Sequence, residues 1–364
     1  MFDNILFGTI LCLFALSLPG NLVSLVLLRI LRKESPRSTS YLMYTHLTSC
    51  DIVTTLVTMT FVMAGLLDKS LYENSEALET KVACNVIGFQ FNVLSRCNLF
   101  IVAGIGMDRW LAVYKPFRYK RSGVMKIVRA YVFLAWTVSL LISCVPFMTG
   151  HLYAYSPSFR MCVWQIQVVF KESPVWISPM YFLLYICPVI LPAVILVSCC
   201  VAVTFKLLLA NKIIGRKIQL NEIPKDSSTV KRNTVLKKKR MEKQTAAVTM
   251  TFLAAAFTTC YIFWWFMGIV GFLKTINALP STAIVSSWSK TGSAIASSLY
   301  VLMPFINSAL NPYLYYVRNN RALLALKNLM NGGTAGRKPT GNECSSSYMK
   351  GYSGDEGLMD HPSK

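Results

Sequence analysis

Two charged side chains, Asp51 and Arg96, stand in the middle of long apolar runs. A charge in such surroundings persists only if it is hydrated, paired or put to use. Asp51 is the one carboxylate deep inside any run, so it either faces a hydrated cation or sits protonated in a neutral hydrogen-bond network. Arg96 has no acid near it in any run except Asp51. It either takes the carboxylate or phosphate of a ligand or braces neighbouring helices through Ser139, Ser143 or Tyr185. Around it, Phe91, Asn92, Ser95, Tyr181, Tyr185, Trp264 and Trp265 are candidates to line a ligand pocket, and Gln90 lies close by. No nucleophile–base pair, phosphate loop, Cys-x-x-Cys pair or zinc spacing is present, so neither an enzyme nor a metal centre is expected.

The element that must position these groups runs from Cys84 to Trp110. It reads as one apolar helix to Met107, closed by Asp108-Arg109-Trp110. At ~1.5 Å per residue, the cysteine and the arginine lie roughly 37 Å apart, more than the ~30 Å of a bilayer's hydrocarbon core. The helix thus carries a cysteine at one membrane face and a charge cluster at the other.

The rest of the chain has the same character. Of 364 residues 54% are apolar and only 15% charged, too few to cover a soluble surface. The net charge of +21 suggests nucleic acid until its placement is seen. Thirty of the 37 basic residues are Arg109 or fall in blocks at Arg29–Arg37, Lys115–Arg129, Lys206–Lys243 and Arg318 onward. Those blocks occupy every second connection, the positive-inside pattern. Nucleic-acid binding is excluded, and a multi-pass membrane protein is implied.

Seven runs are long enough to span: about 5–31, 40–66, 83–108, 128–149, 176–206, 245–273 and 288–317. In lipid they must be helices. The fold expected is therefore all-α, a seven-transmembrane helix bundle over residues 1–330. The first run is too long for a signal-peptide core. It puts the N-terminus outside with only about four residues ahead of it, which argues against a large hormone-binding ectodomain. The C-terminus is then inside. Residues 318–330, with Leu323, Leu324, Leu326 and Leu329 among polar neighbours, form a short amphipathic eighth helix on the inner membrane face. Residues 331–364 form a disordered cytoplasmic tail. No Asn-x-Ser/Thr acceptor occurs, and no internal repeat supports a transporter or channel.

Gly20-Asn21, Asp51, Cys84 with Asp108-Arg109-Trp110, Trp136, Pro188 and Asn307 with Asn311-Pro312-x-x-Tyr315 put a marker in each of six spans. In this order, and with the 25-residue Cys84-to-Arg109 spacing, they resemble the rhodopsin-like (class A) G-protein-coupled receptors from about residue 5 to 330. The resemblance implies a Cys84–Cys162 disulfide. It also implies an Arg109 held by Asp108 at rest and released to a G protein when span six moves. Asn311, Pro312 and Tyr315 become a switch, since proline frees a backbone carbonyl and permits a bend. Phe257 and Tyr261 stand at the family's span-six activation positions. Asp51, Asn98, Asn307 and Asn311 match a sodium pocket, which makes an allosteric Na+ the one cofactor implied.

Departures from the pattern are informative. Tyr261 and Phe263 replace the family's span-six tryptophan and proline, Leu196 replaces a span-five tyrosine, and Lys243 stands where many members place an acid that locks Arg109. The resemblance also excludes two ligand classes. Amine receptors carry an aspartate at the position of Phe91, and opsins a lysine at that of Phe305. The function expected is a plasma-membrane receptor that passes binding of an extracellular ligand, a peptide first, to heterotrimeric G proteins. Its alternatives are an anionic lipid or small anion held by Arg96, a seven-helix protein with weak or lost signalling, and last a transporter. Arrestin, through Ser345-Ser346-Ser347, and anionic membrane lipid, through Lys237–Arg240, complete the expected partners.

Overall fold

A computed structural model describes residues 2–34, 38–68, 77–119, 123–148, 152–156, 160–164, 187–220, 256–257, 259–261, 290–318 and 326. The chain divides into two units at Asn319, and beyond it only Leu326, in helical conformation, is described. Apart from Arg318 and Leu326, the expected helix 318–330 and the tail lie outside the described residues. So do the 221–250 stretch with Lys237–Arg240 and Lys243, and Tyr181, Tyr185, Phe263, Trp264 and Trp265.

In chain order the elements are helices α1 (Phe2–Glu34), α2 (Thr39–Leu67), α3 (Leu78–Tyr114), the single turn α4 (Pro116–Tyr119) and α5 (Val124–Met148). A hairpin of β1 (Tyr153–Ser156) and β2 (Met161–Trp164) follows, then α6 (Cys187–Leu220) and α7 (Lys290–Arg318). Among the described residues, α1, α2, α3, α5 and the apolar part of α6 are each long and apolar enough to cross a membrane. Several helices outrun their apolar stretches. α3 continues past both ends of the expected 83–108, and α6 runs on to Leu220. Polar residues beyond the hydrocarbon extend a helix without cost because water serves its surface.

α3 is the post of the bundle. In its central stretch 72% is buried, against 28–44% in the other four. It carries Leu94, Cys97, Leu99, Ile101, Val102 and Ile105 into a core shared with α2, α5, α6 and the span-six residues Phe257, Cys260 and Tyr261. The opposite flanks show Leu16, Val26, Phe133, Leu141, Val201 and Phe205. Hydrocarbon covers such faces, and the helices associate through close packing and buried polar bonds rather than through exclusion of water.

One break in regularity has a local cause. Within α2, Thr54–Met59 widens into a π turn. The Thr55 hydroxyl donates to the Asp51 carbonyl at 2.8 Å and competes for an acceptor the regular ladder would use. Pro188, expected to break span five, is the second described residue of α6, and what precedes Cys187 lies outside the described residues. Pro192 is the proline inside that helix.

Candidate functional site

The Asp51 carboxylate is wholly buried and ties three helices together. Asn98 of α3 donates to Oδ1 at 2.9 Å and Asn311 of α7 to Oδ2 at 2.8 Å. A second layer joins α1, α2 and α7. Ser17 bonds Thr55 at 2.7 Å and Ser308 at 3.2 Å, and Asn21 donates to the Ser17 and Ser308 carbonyls at 3.0 Å. Asn307, the fourth residue assigned to this cluster, is buried but makes no bond to Asp51, and its Nδ2 has no hydrogen-bond partner. Ser308 takes that place, bonding the Asp51 carbonyl at 3.4 Å. Its position three residues before Asn311, on one helical face, was the sequence signal for it. The Asn98 Oδ1 is likewise a buried acceptor with no partner. A carboxylate, an orphan amide oxygen and a group of hydroxyls are the donor set of a hard cation, so the residues present fit sodium.

At the Arg109 end, the direct Asp108–Arg109 pair expected from the sequence is replaced by a relay. Asp108 accepts from Thr39 at 2.7 Å, Ser40 at 3.2 Å and Tyr119 at 3.3 Å. Arg109 donates to the Ser40 oxygen at 2.6 Å, so one hydroxyl joins acid and base. The reason is geometric: consecutive residues on a helix point to different sides. Burial, and then the nearby Asp108 charge, push the Tyr119 phenol above its ordinary range, so it stays a proton donor to the carboxylate. That bond fixes α4 and leaves its Phe117 side chain 91% exposed, between the exposed Pro116 and Arg118. Sequence reading passed over Phe117; a lone phenylalanine among basic residues after Asp108-Arg109-Trp110 was the available signal. On the far side Trp110 stacks on Tyr114, with ring centroids 5.5 Å apart. The Tyr114 hydroxyl reaches the Ala202 carbonyl at 2.9 Å, while Lys206 lies 4.1 Å over the Tyr114 ring and donates to the Val113 carbonyl.

The other activation residues join the core. Phe257 and Tyr261 stack with centroids 4.4 Å apart, and Tyr315 lies 4.9 Å from Tyr44. Pro312 is buried within α7.

At the Cys84 end the Cys84–Cys162 disulfide fastens β2 to α3. Tyr153 locks β1 in place. Its N–H donates to Asn85 at 3.0 Å and its hydroxyl to the Ser143 carbonyl at 3.0 Å. Its ring lies so close to α3 that a Cβ on Gly88 would stand 2.6 Å from it, which only glycine permits. Arg160, in a left-handed turn conformation (φ 51°), pairs with Asp3 of α1. Met161 is thereby pressed into a cluster with Phe91 of α3, Val301 and Phe305 of α7, Met59 and Val62 of α2, and Leu6 and Ile10 of α1.

The ligand candidates divide accordingly. Phe91 faces this cluster, and Ser95 is half-buried. Asn92 and Arg96 turn toward α5: Arg96 Nη1 donates to Asn92 at 2.8 Å and to Ser143 at 3.4 Å.

A sequence model described as the 7 transmembrane receptor (rhodopsin family) matches residues 20–315. The human D(1B) dopamine receptor is 40% identical over 52 residues, 14% of this chain and 11% of that receptor. The human Probable G-protein coupled receptor 21 is 27% identical over 130 residues, 36% of this chain and 35% of the other. Its mouse counterpart is 28% identical over 122 residues, 34% of this chain and 32% of its own length. The matches thus span about a third or less of these curated relatives.

Proposed function

Because the chain belongs to the rhodopsin family of seven-transmembrane receptors, we propose that it sits in the plasma membrane with its Cys84 end outside and passes an extracellular signal to heterotrimeric G proteins at its Arg109 end. The observation that carries this reading is α4: a phenylalanine 91% exposed, on a turn pinned to Asp108, beside an arginine that among the described residues is hydrogen-bonded to one hydroxyl. An anchored apolar side chain ringed by basic residues is the form of a docking hot spot. The two membrane-buried charges serve separate networks, Asp51 toward α3 and α7 and Arg96 toward α5, which favours a receptor over a transporter's charge pathway.

For the ligand, a peptide remains the favoured class. The cluster of Phe91, Met161, Val301 and Phe305 offers apolar surface and no carboxylate for an amine, so the dopamine named for one relative is not carried over. The Arg96 reading, a lipid or small anion, is weakened by the engagement of that guanidinium with Asn92 and Ser143. Arrestin binding and a sodium ion at Asp51, Asn98 and Asn311 complete the proposal; the ion would screen the buried carboxylate and steady the resting packing.

Nucleotide exchange on a panel of purified G proteins, with receptor in lipid nanodiscs, tests it. Arg109→Ala is expected to abolish exchange. Phe117→Ala should cut it about tenfold or more, the scale of a truncated hot spot. Exchange unchanged in both variants would remove the proposal. Ser40→Ala is expected to act oppositely. It leaves Asp108 with Thr39 and Tyr119 but frees Arg109, so basal exchange should rise; a fall would show that Ser40 is needed for the active arrangement instead.

A further inference from the structure

Between α3, α5 and α6 lies a groove of about 160 Å³ that none of the activation residues enters. Its floor is made by two small side chains, Ala103 and Ala135, both buried. Its rim is Leu134 and Leu191, 57% and 60% exposed, on a flank that hydrocarbon must cover. Tyr131 supplies the one hydroxyl in the lining, and that hydroxyl is already engaged with the Phe100 carbonyl at 2.5 Å. The ring is kept there by Gly104, where any Cβ would collide with it. A molecule in the groove therefore meets apolar surface alone.

We propose that the groove binds one acyl chain of a membrane phospholipid, from the leaflet at the Arg109 end. Three observations select this occupant. The lining offers no polar atom for a headgroup, so the polar part of the ligand must lie elsewhere, as it does when only a chain inserts. The volume is close to that of the ~150 Å³ apolar cavities that stay dry and take a single small ring. That is too small for a rigid fused-ring sterol but suited to a few methylenes of a chain whose remainder stays in the bilayer. The depth is that of one leaflet: the groove follows α3 from Phe100 to Met107, ending ~3 Å of helix rise from Arg109. Behind it Leu196 of α6 packs at 3.1 Å from the position a Gly106 Cβ would take, so the chain presses on the seam between α3 and α6. This inference needs only that the helices are embedded in lipid, and it stands apart from the choice of ligand or G protein.

The test uses the full receptor in nanodiscs of phosphatidylcholine, a fraction of which carries a diazirine in mid-chain. Irradiation and peptide mapping compare labelling at Leu134 and Leu191 with labelling at Leu141, which is equally exposed but outside the groove. In the wild type, labelling at the groove should saturate with probe fraction and that at Leu141 should rise linearly. Ala103→Leu combined with Ala135→Leu should lower the groove signal about tenfold relative to Leu141, the effect of removing a site for two or so methylenes. Linear labelling at all three positions of the wild type would overturn the proposal without reference to any variant. Loss of the groove signal on adding cholesterol would also overturn it, by assigning the groove to a sterol. Finally, adding phosphatidylcholine to detergent-purified protein should raise the melting temperature of the wild type by about 2 °C and leave the filled variant unmoved; equal shifts in both would count against a chain in the groove.

Discussion

Replacing Cys84 and Cys162 together with alanine is expected to lower stability by about 2–5 kcal/mol and to loosen the β1–β2 hairpin at the Cys84 end. The disulfide closes a loop of sequence separation 78 and is the covalent tie between β2 and α3. What remains is the Tyr153 anchor, the Asp3–Arg160 pair and the packing of Met161. The ion pair is partly exposed and contributes at most about 1 kcal/mol. Without the bond, Met161 has little to hold it against Phe91 and Phe305, so the cluster loosens as a unit. Melting of detergent-purified receptor should show a drop of several degrees, and limited proteolysis should cut between Leu152 and Trp164 where the wild type resists. A melting temperature within a degree of wild type would mean that Tyr153 and the apolar cluster alone hold the hairpin.

The second large effect is expected at Asp51. Asp51→Ala strands the Asn98 and Asn311 amides, each at a loss of about 1–3 kcal/mol for a buried donor without an acceptor. Asp51→Asn keeps the shape but removes the charge, so it separates two roles. Its stability should fall less, yet any rise in melting temperature on exchanging choline for sodium at constant ionic strength should vanish. Restoring the carboxylate from the other helix, with Asn311→Asp added to Asp51→Asn, should recover part of the stability because the two side chains exchange donor and acceptor across a 2.8 Å bond. Sodium stabilisation that persists undiminished in Asp51→Asn would place the cation elsewhere.

The features legible in the sequence were those set by one helix or by a chemical necessity. Apolar length and the alternation of basic blocks mark the spans, and α2 follows its expected 40–66 within a residue or so at each end. Asp51 had to find donors, and Asn98 and Asn311 supply them. What escaped depends on how helices rotate against one another. Arg96 could face a cavity or α5, and only its bond to Ser143 decides between them. Ser40 was invisible as the link between Asp108 and Arg109 because it lies on another helix, 68 residues before the acid. Met161 meets Phe91 and Phe305 only because a disulfide, a tyrosine anchor and a glycine gap set the depth of the hairpin together.

The π turn at Thr54–Met59 has a consequence for how this chain tolerates insertion and deletion. Such a turn accommodates one residue more than the regular helix, so everything beyond it is rotated by about 100° relative to an unbroken α2. The half of α2 before the turn offers Asp51 to Asn98 and Asn311, while the half after it offers Val62 to the Met161 cluster. Both offers depend on that phase. Removing a single residue from this stretch would let the ladder close regularly and keep Asp51 in place. Val62 would keep its face too, because the residue lost is the one the wide turn absorbs; closing the ladder regularly with every residue kept is what would swing Val62 off the core. The wide turn is thus a reserve of register: α2 can lose one residue at this stretch and still present both faces, where the same loss from a regular helix would turn one half by about 100° against the other.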